Sequence, residues 1–326
     1  AARAVVARAA SPARFSVLFV FNDTATTEIG LQDLERALMR PAREFCQRRL
    51  GLYLGDDLSA LPEREPMELN ALERWKIATE WLEHMLAGKP EASRLEVQRA
   101  RGRLPHFVSG DLFYDDLQAT LESIERTFGA LTRGAPMRKL DVDLTLDGMH
   151  VSGSLAELFD TAHVRVQYSE PQGRHELRHF VRHVVMRCLA EQDPGLGLPR
   201  ASYLIGRESS LCLELRGSAT EALRELLSLY TEALSQPLPL FAAASRTYAE
   251  QLAKGNAREQ ALSAARRAYG DEYQAARDDS RGLDYSDAYA VQLFGSFEQM
   301  LAQEGSRFEN SALRLYQPLM AARRDV

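Results

Sequence analysis

The stretch from Leu140 to Leu189 constrains this chain most, because its apolar spacing switches there from a period of two to a helical period. Leu140, Val142, Leu144 and Leu146 alternate with polar residues, the pattern of a strand with one buried face. Asp147-Gly148 follows, a dipeptide suited to a type I′ hairpin turn, whose two central residues both need positive φ. Met149, Val151 and Leu155 mark the return strand, and His163 to Ser169 alternates again as a third. After Gly173 the residues Leu177, Phe180, Val181, Val184, Val185 and Cys188 form an unbroken apolar stripe at helical spacing. The other side of that helix carries Arg174, His175, Arg178, His179, Arg182 and His183. One face is expected to pack on the sheet, leaving the other as a basic surface.

The flanking sequence is mostly helical in pattern. Leu31, Leu34 and Leu38 share a helical face, Pro41 suits the first position of a second helix, and Gly51 suits its end. Asp56 to Pro66 reads as an acidic, proline-bearing linker, and Gly102 to Ser109 as a second connector. Between them, Glu68–Leu86 is a predicted helix in which Trp75 and Trp81 are assigned to core packing rather than base stacking. A charged helix is predicted to follow Pro90 and run to Arg101. A long helix is predicted over Leu112–Leu131 with Asp111 near its cap. Further strands are predicted at Ala201–Gly206 and Leu211–Arg216. A helix over Ser218–Leu234 carries Ser218 and Glu221 as a capping box. Ala257–Gly270 is another helix, and Phe297–Met320 reads as a final pair of helical segments.

Net charge is −6, so contact with nucleic acid would have to come from a local basic patch rather than the global field. Cys46, Cys188 and Cys212 fit neither a disulfide framework nor a zinc pattern, and read as reduced thiols of a cytoplasmic protein. No run approaches the length of a membrane span. The N-terminal segment stands apart. Its apolar run Phe15 to Phe21 is followed by Asn22 to Ile29, an octapeptide that resembles the conceptual translation of a sequencing adapter. Residues 1–29 are therefore expected to be extraneous and disordered, with authentic sequence continuing upstream of Gly30. Residues 30–104 then form a helical lead-in, and 105–326 the main domain.

The segment Leu38–Leu54, with its Arg40-Pro41-Ala42-Arg43-Glu44-Phe45-Cys46 core and Arg49-Leu50-Gly51, resembles the start of the C-terminal domain of the RecC family, the exodeoxyribonuclease V gamma subunits. Pro237-Leu238-Pro239 before the helix holding Tyr248-Ala249-Glu250, and the segment Leu283–Phe294 (LDYSDAYAVQLF), similar to a D-x-Y-x-x-L-F block, resemble closing sections of the same family. The resemblance runs in several ordered blocks from Leu31 to Met320.

The middle of the chain reads α, β, β, β, α, β, an α/β arrangement that resembles the core of PD-(D/E)XK nucleases. In active members an Asp on the second strand and the acid of a D/E-x-K on the third bind the Mg²⁺ that activates water for phosphodiester hydrolysis, and the lysine positions or stabilises that water. By resemblance Ala156 stands at the Asp position, Gln167 at the acid and Ser169 at the lysine, while Tyr114 falls where active members carry a histidine. A shifted alignment would nominate Glu157, Asp160 or Glu170, yet no carboxylate-x-lysine occurs in this region. The resemblance thus implies a nuclease-like fold without catalytic residues. An active nuclease with displaced ligands is the alternative.

His175-Glu176-Leu177-Arg178-His179 is also a literal H-E-x-x-H, with His183 one turn further on. On a helix that motif can hold zinc, with the Glu as general base. Arg174, Arg178 and Arg182 make this setting hostile to a dication, so a zinc peptidase is the weaker alternative and no metal site is assigned. Arg174, Arg178, His179, Arg182 and His183 are instead candidates for contact with the DNA backbone, the alternatives being contact with an acidic surface of a partner subunit or a solvated face with no specific role. The resemblance to the RecC family implies a strand-separating, DNA-guiding and scaffolding domain in the repair of double-strand breaks by homologous recombination. Its implied partners are RecB-like and RecD-like subunits, duplex DNA ends and single strands, and no membrane. ATP and Mg²⁺ would be used by the partner subunits, leaving this chain without a cofactor; it also has no Walker A pattern.

Overall fold

Asp147 and Gly148 both adopt positive φ, at 50° and 82°, so the predicted tight turn forms and fixes the register of the hairpin around it. This geometry belongs to a computed structural model that describes residues 27–54, 71–88, 97, 100–101, 108–171, 173–275 and 284–326. The linker at Asp56 to Pro66, the connector from Gly102 to Phe107 and most of the helix expected before Arg101 lie outside the described residues, as do residues 1–26.

In the hairpin, β2 (Arg138–Leu146) runs antiparallel to β3 (Met149–Leu158), with Leu146 opposite Met149 and Leu144 opposite Val151. The other edge of β3 receives β1 (Glu28–Gly30) in parallel, then β4 (His163–Val166) antiparallel through Leu158 and His163. β4 is parallel to β5 (Ser202–Ile205), which pairs antiparallel with β6 (Ser210–Leu213), and β6 pairs antiparallel with β7 (Arg323–Asp325). The result is one mixed sheet.

Two of these strands are not legible as period-two runs. β1 and β7 are three residues long, too short to show a pattern, and each is defined by its partner strand. β1 includes Glu28 and Ile29 from the segment expected to be extraneous, and Ile29 is buried opposite Val151. The third strand is also shorter than expected. It ends at Val166 because the Gln167 side chain donates to the carbonyls of Ser169 (3.1 Å) and Glu170 (3.2 Å), bending the chain ahead of Pro171.

Ten helices of seven or more residues form among the described residues: α1 (Leu31–Met39), α2 (Pro41–Arg49), α3 (Ala71–Leu86), α4 (Val108–Thr132), α5 (Arg174–Gln192), α6 (Ala219–Ser235), α7 (Ala244–Ala253), α8 (Arg258–Tyr269), α9 (Ala288–Phe294) and α10 (Phe297–Ala322). α4 starts a turn earlier than expected, which places Asp111 inside the helix rather than at its cap. The order α4, β2, β3, β4, α5, β5 reproduces the expected αβββαβ succession. Among the described residues no helix is long and apolar enough to cross a membrane.

The described chain divides into two compact units. One takes its residues from 27–35, 55–225 and 318–326 and contains the sheet. Alternation along β4 and β5 sends Val164, Val166, Tyr203 and Ile205 toward Ile77, Leu117 and Leu121 of α3 and α4. The opposite side chains, His163 and Ser202, meet α5. Trp81 packs on Tyr114 at 5.6 Å between ring centroids, whereas Trp75, expected in the core, is 45% exposed: the two sit six residues apart and face different ways. The start of α6 is capped twice. Ser218 Oγ accepts from Glu221 N at 3.3 Å as expected, and the Glu191 carboxylate accepts from the N–H groups of Ala219 (2.8 Å) and Thr220 (3.0 Å).

The other unit takes its residues from 36–54 and 226–317 and is helical. Its core is aromatic: Phe241 meets Tyr269 and Phe294 edge-to-face at 5.1 and 5.5 Å, and Phe297 meets Phe308 likewise at 5.5 Å. Small residues such as Ala42, Ala244, Ala261, Ala265 and Ala312 fill the gaps between those rings. Asp284 caps α7 from forty residues away, accepting from Ala243 N (3.1 Å) and Ala244 N (2.7 Å), and burial pushes its carboxyl up to about 7. Asp287 caps α9 through Tyr289 N at 3.0 Å. The last helix is kinked at Glu304, consistent with the two segments read from the sequence.

Candidate functional site

The three positions of interest lie at the end of β3 and just past β4. Ala156 contributes only a methyl group, half-buried on β3. The Gln167 amide is committed to the two carbonyls that turn the chain, and Ser169 lies within that bend. The neighbouring carboxylates are each engaged separately. Glu170 accepts from Glu208 N at 3.0 Å and Ser209 Oγ at 2.6 Å, tying the bend to the β5–β6 turn. Asp160 pairs with Arg138 at 3.4 Å. Glu157 sits at φ 62° among Arg165 and Arg182, with burial raising its carboxyl and the two guanidinium groups opposing that shift. Tyr114 is buried in the α3–α4 core.

A hard dication needs several carboxylate or carbonyl oxygens converging on one point. These residues do not offer that: one position is a methyl group, one amide is spent on the backbone, and the nearest acid faces arginines. Among the described residues no group of three or more His, Cys, Asp or Glu side chains is arranged to hold a metal ion. The space is also filled. A Cβ on Gly206 would stand 2.5 Å from Pro171 Cδ, 2.9 Å from Ser209 O and 3.0 Å from Ser169 O. Two of those are backbone atoms that cannot step aside cheaply. Gly206→Ala is therefore expected to lower stability by about 1–3 kcal/mol through overpacking. A urea midpoint unchanged from the parent would show that the bend yields easily.

The helix α5 differs from its expected form. It was read as half basic surface, but His179 and His183 are fully buried and cannot belong to any surface. The reason is that α5 is covered on more than one side: β4 and β5 present His163 and Ser202 to its histidines, and β7 presents Arg323 to Glu176. The H-E-x-x-H residues are thereby separated in role. Glu176 is fully buried and lies 3.1 Å from Arg323 Nε, His179 stacks on His163, and His175 is half-buried beside Arg174 and Arg178. Glu176 is held by an arginine rather than poised as a base.

The arginines of α5 remain nearer the surface. Arg182 Nε lies 2.6 Å from Glu35 Oε1 and Arg178 Nε 3.4 Å from Glu35 Oε2, with the Glu35 side chain 4% exposed. Arg178 keeps 37% of its side chain exposed and Arg182 15%, while Arg174 is exposed. Glu35 comes from α1, far away in sequence, and nothing in the spacing of α5 announces it. Four arginines (Arg165, Arg174, Arg178, Arg182) thus stand with two carboxylates (Glu35, Glu157), a local excess of positive charge in an acidic chain.

Comparison with known proteins gives a consistent result. The family described as the RecC C-terminal domain matches residues 26–253. A RecBCD enzyme subunit RecC from Mycolicibacterium smegmatis is 26% identical over 265 residues, covering 76% of this chain and 23% of the relative. The RecBCD enzyme subunit RecC of Escherichia coli is 27% identical over 136 residues, covering 41% of this chain and 12% of the relative. That of Mycobacterium tuberculosis is 27% identical over 220 residues, covering 65% and 19%. The chain spans less than a quarter of the length of each of these relatives. The chain belongs to the RecC C-terminal domain family.

Proposed function

We propose that this chain is a noncatalytic DNA-guiding and scaffolding domain of a RecBCD-type helicase–nuclease that serves DNA repair and recombination. In this reading the sheet unit is a PD-(D/E)XK-like core that has lost its chemistry, and RecB-like and RecD-like subunits supply ATP hydrolysis and cutting. Family membership together with Ala156, Gln167 and Ser169 at the three ligand positions carries the proposal. The αβββαβ order supports it, and so does the engagement of every nearby carboxylate with backbone, hydroxyl or arginine.

DNA contact is assigned to the exposed end of α5. Arg174 and Arg178 offer guanidinium groups to phosphate, with Arg182 held behind them by Glu35. The neighbouring histidines add no charge to this face, because burial and the adjacent arginines depress their protonation.

The test is titration of a forked duplex with the full chain at two salt concentrations, with Mg²⁺ present and cleavage read from the same samples. Salt-sensitive binding without cutting is expected. Arg174→Ala and Arg178→Ala should each weaken binding whatever the sequence, and each should reduce the log–log salt slope by about 1. Mg²⁺-dependent cutting that survives repurification would overturn the noncatalytic reading, and unaltered binding by both variants would remove α5 from the DNA interface.

A further inference from the structure

His163 on β4, His179 and His183 on α5, and Ser202 on β5 form a cluster between sheet and helix in which none of the four side chains is exposed. Ser202 Oγ lies 3.1 Å from His163 Nδ1 and 2.7 Å from His183 Nδ1. A hydroxyl has one proton to donate, so it donates to one imidazole and accepts from the other. Neutral rings of opposite tautomer satisfy that arrangement, whereas an imidazolium in both places would leave the hydroxyl proton without an acceptor. The ring of His179 stacks on that of His163, 4.9 Å apart and 25° from parallel. Both nitrogens of His179 and the Nε2 atoms of His163 and His183 are buried and have no hydrogen-bond partner among the described residues.

Among the described residues, no group near the cluster would compensate a proton. The charges acting on it from β4 and α5 are Arg165, Arg182 and Arg187, all cations. The carboxylates of adjoining elements are each set against an arginine: Glu35 of α1 with Arg178 and Arg182, Glu157 of β3 with Arg165 and Arg182, and Glu176 of α5 with Arg323 of β7. Nor is the cluster a metal centre. Near-parallel stacked rings keep the in-plane lone pairs of His163 and His179 from converging on one ion.

We infer that these imidazoles and Ser202 form an acid-sensitive latch, in which α5 stays seated on the sheet only while all three rings are neutral. This goes beyond the nucleic-acid reading and does not depend on it. Burial pushes His163 and His183 down to about 3 and His179 well below the ordinary histidine range. Once released, each ring titrates near 6.5 and takes up protons that the seated form refuses. The latch is therefore at full strength above about pH 6.5 and weakens as pH falls from there toward 3. His150 pulls the other way, since Glu28 and Asp143 hold its protonation up, so comparison between variants decides the matter rather than the parent slope alone.

Urea denaturation of the full chain at pH 7.5 and 5.5, at fixed ionic strength, compares the parent with His179→Phe, which keeps a stacking ring but cannot titrate. The folding equilibrium of the parent should fall relative to that of the variant by about tenfold across this range, the contribution of one imidazole. Equal pH dependence of the two would overturn the latch. A second measurement needs no variant: nitrogen-15 spectra of the folded parent at pH 5.5 should show all three rings neutral, with His163 and His183 as opposite tautomers. An imidazolium signal from any of them in the folded protein would overturn it too.

Discussion

An Arg323→Met variant should lose about 3 kcal/mol of stability in the sheet unit, although the residue sits three positions from Val326 and on a strand of three residues. Its guanidinium Nε lies 3.1 Å from the Glu176 carboxylate, whose side chain has no exposure at all. Methionine keeps the length and apolar stem of arginine and leaves the backbone pairing of residue 323 with Leu213 available. What it removes is the positive charge opposite a buried negative one. Taking one partner from a buried pair costs far more than the pair contributes net, because the remaining charge loses its compensation in a medium of low polarity. Arg323 retains 23% exposure, which keeps the expected loss at the lower end of the usual range. Replacing both residues, as Glu176→Gln with Arg323→Met, should recover a large part of it. Both tryptophans, Trp75 and Trp81, lie in the sheet unit, so fluorescence during urea denaturation reads this unit directly. A coupling energy below about 0.5 kcal/mol in the double-mutant cycle would show that Glu176 does not depend on Arg323.

The same helix shows where sequence reasoning stops. Its existence and length were legible, because Leu177, Phe180, Val181, Val184, Val185 and Cys188 repeat at helical spacing, and all of them are buried. Its polar side was not legible. Periodicity separates apolar from polar residues, but it cannot say that β5 brings a serine, β4 a histidine and β7 an arginine to the polar ones. A histidine in a basic run looks like surface until another element covers it. The hairpin was readable for the opposite reason: Asp147-Gly148 and the alternation on either side are local signals that need no distant partner. β1 and β7 carry no local signal at all, and Glu35, Glu191 and Asp284 act on helices that are remote in sequence. The positions of the candidate site came from resemblance. What the structure adds is how each neighbouring polar group is used, from the Gln167 amide to the Glu170 carboxylate.

In the helical unit the largest single loss is expected from Phe308→Ala. Phe308 has no exposure and its ring is surrounded by others: Phe297 edge-to-face at 5.5 Å, Tyr248 at 5.7 Å and Phe241 at 6.1 Å. Truncation removes the transfer free energy of a buried benzyl group and leaves a cavity, together about 3–5 kcal/mol. Relaxation into that cavity is resisted on two sides. Tyr248 is anchored by its hydroxyl, which donates to Glu309 at 2.7 Å, and Glu309 is in turn held by Arg258. Tyr269, which packs on both Phe241 and Phe297, is anchored by donating to the Gly295 carbonyl at 2.8 Å. Rings fixed at their polar ends cannot pivot inward without breaking a hydrogen bond, so the upper part of the range is expected. Phe308→Leu, which keeps most of the volume, should cost no more than about half as much. Denaturation followed by near-ultraviolet circular dichroism, sensitive to the packing of Tyr248 and Tyr269, measures both. A loss below about 1 kcal/mol for the alanine variant would mean that the small residues around Ala244, Ala265 and Ala312 close the gap, and that these rings are not what holds the unit together.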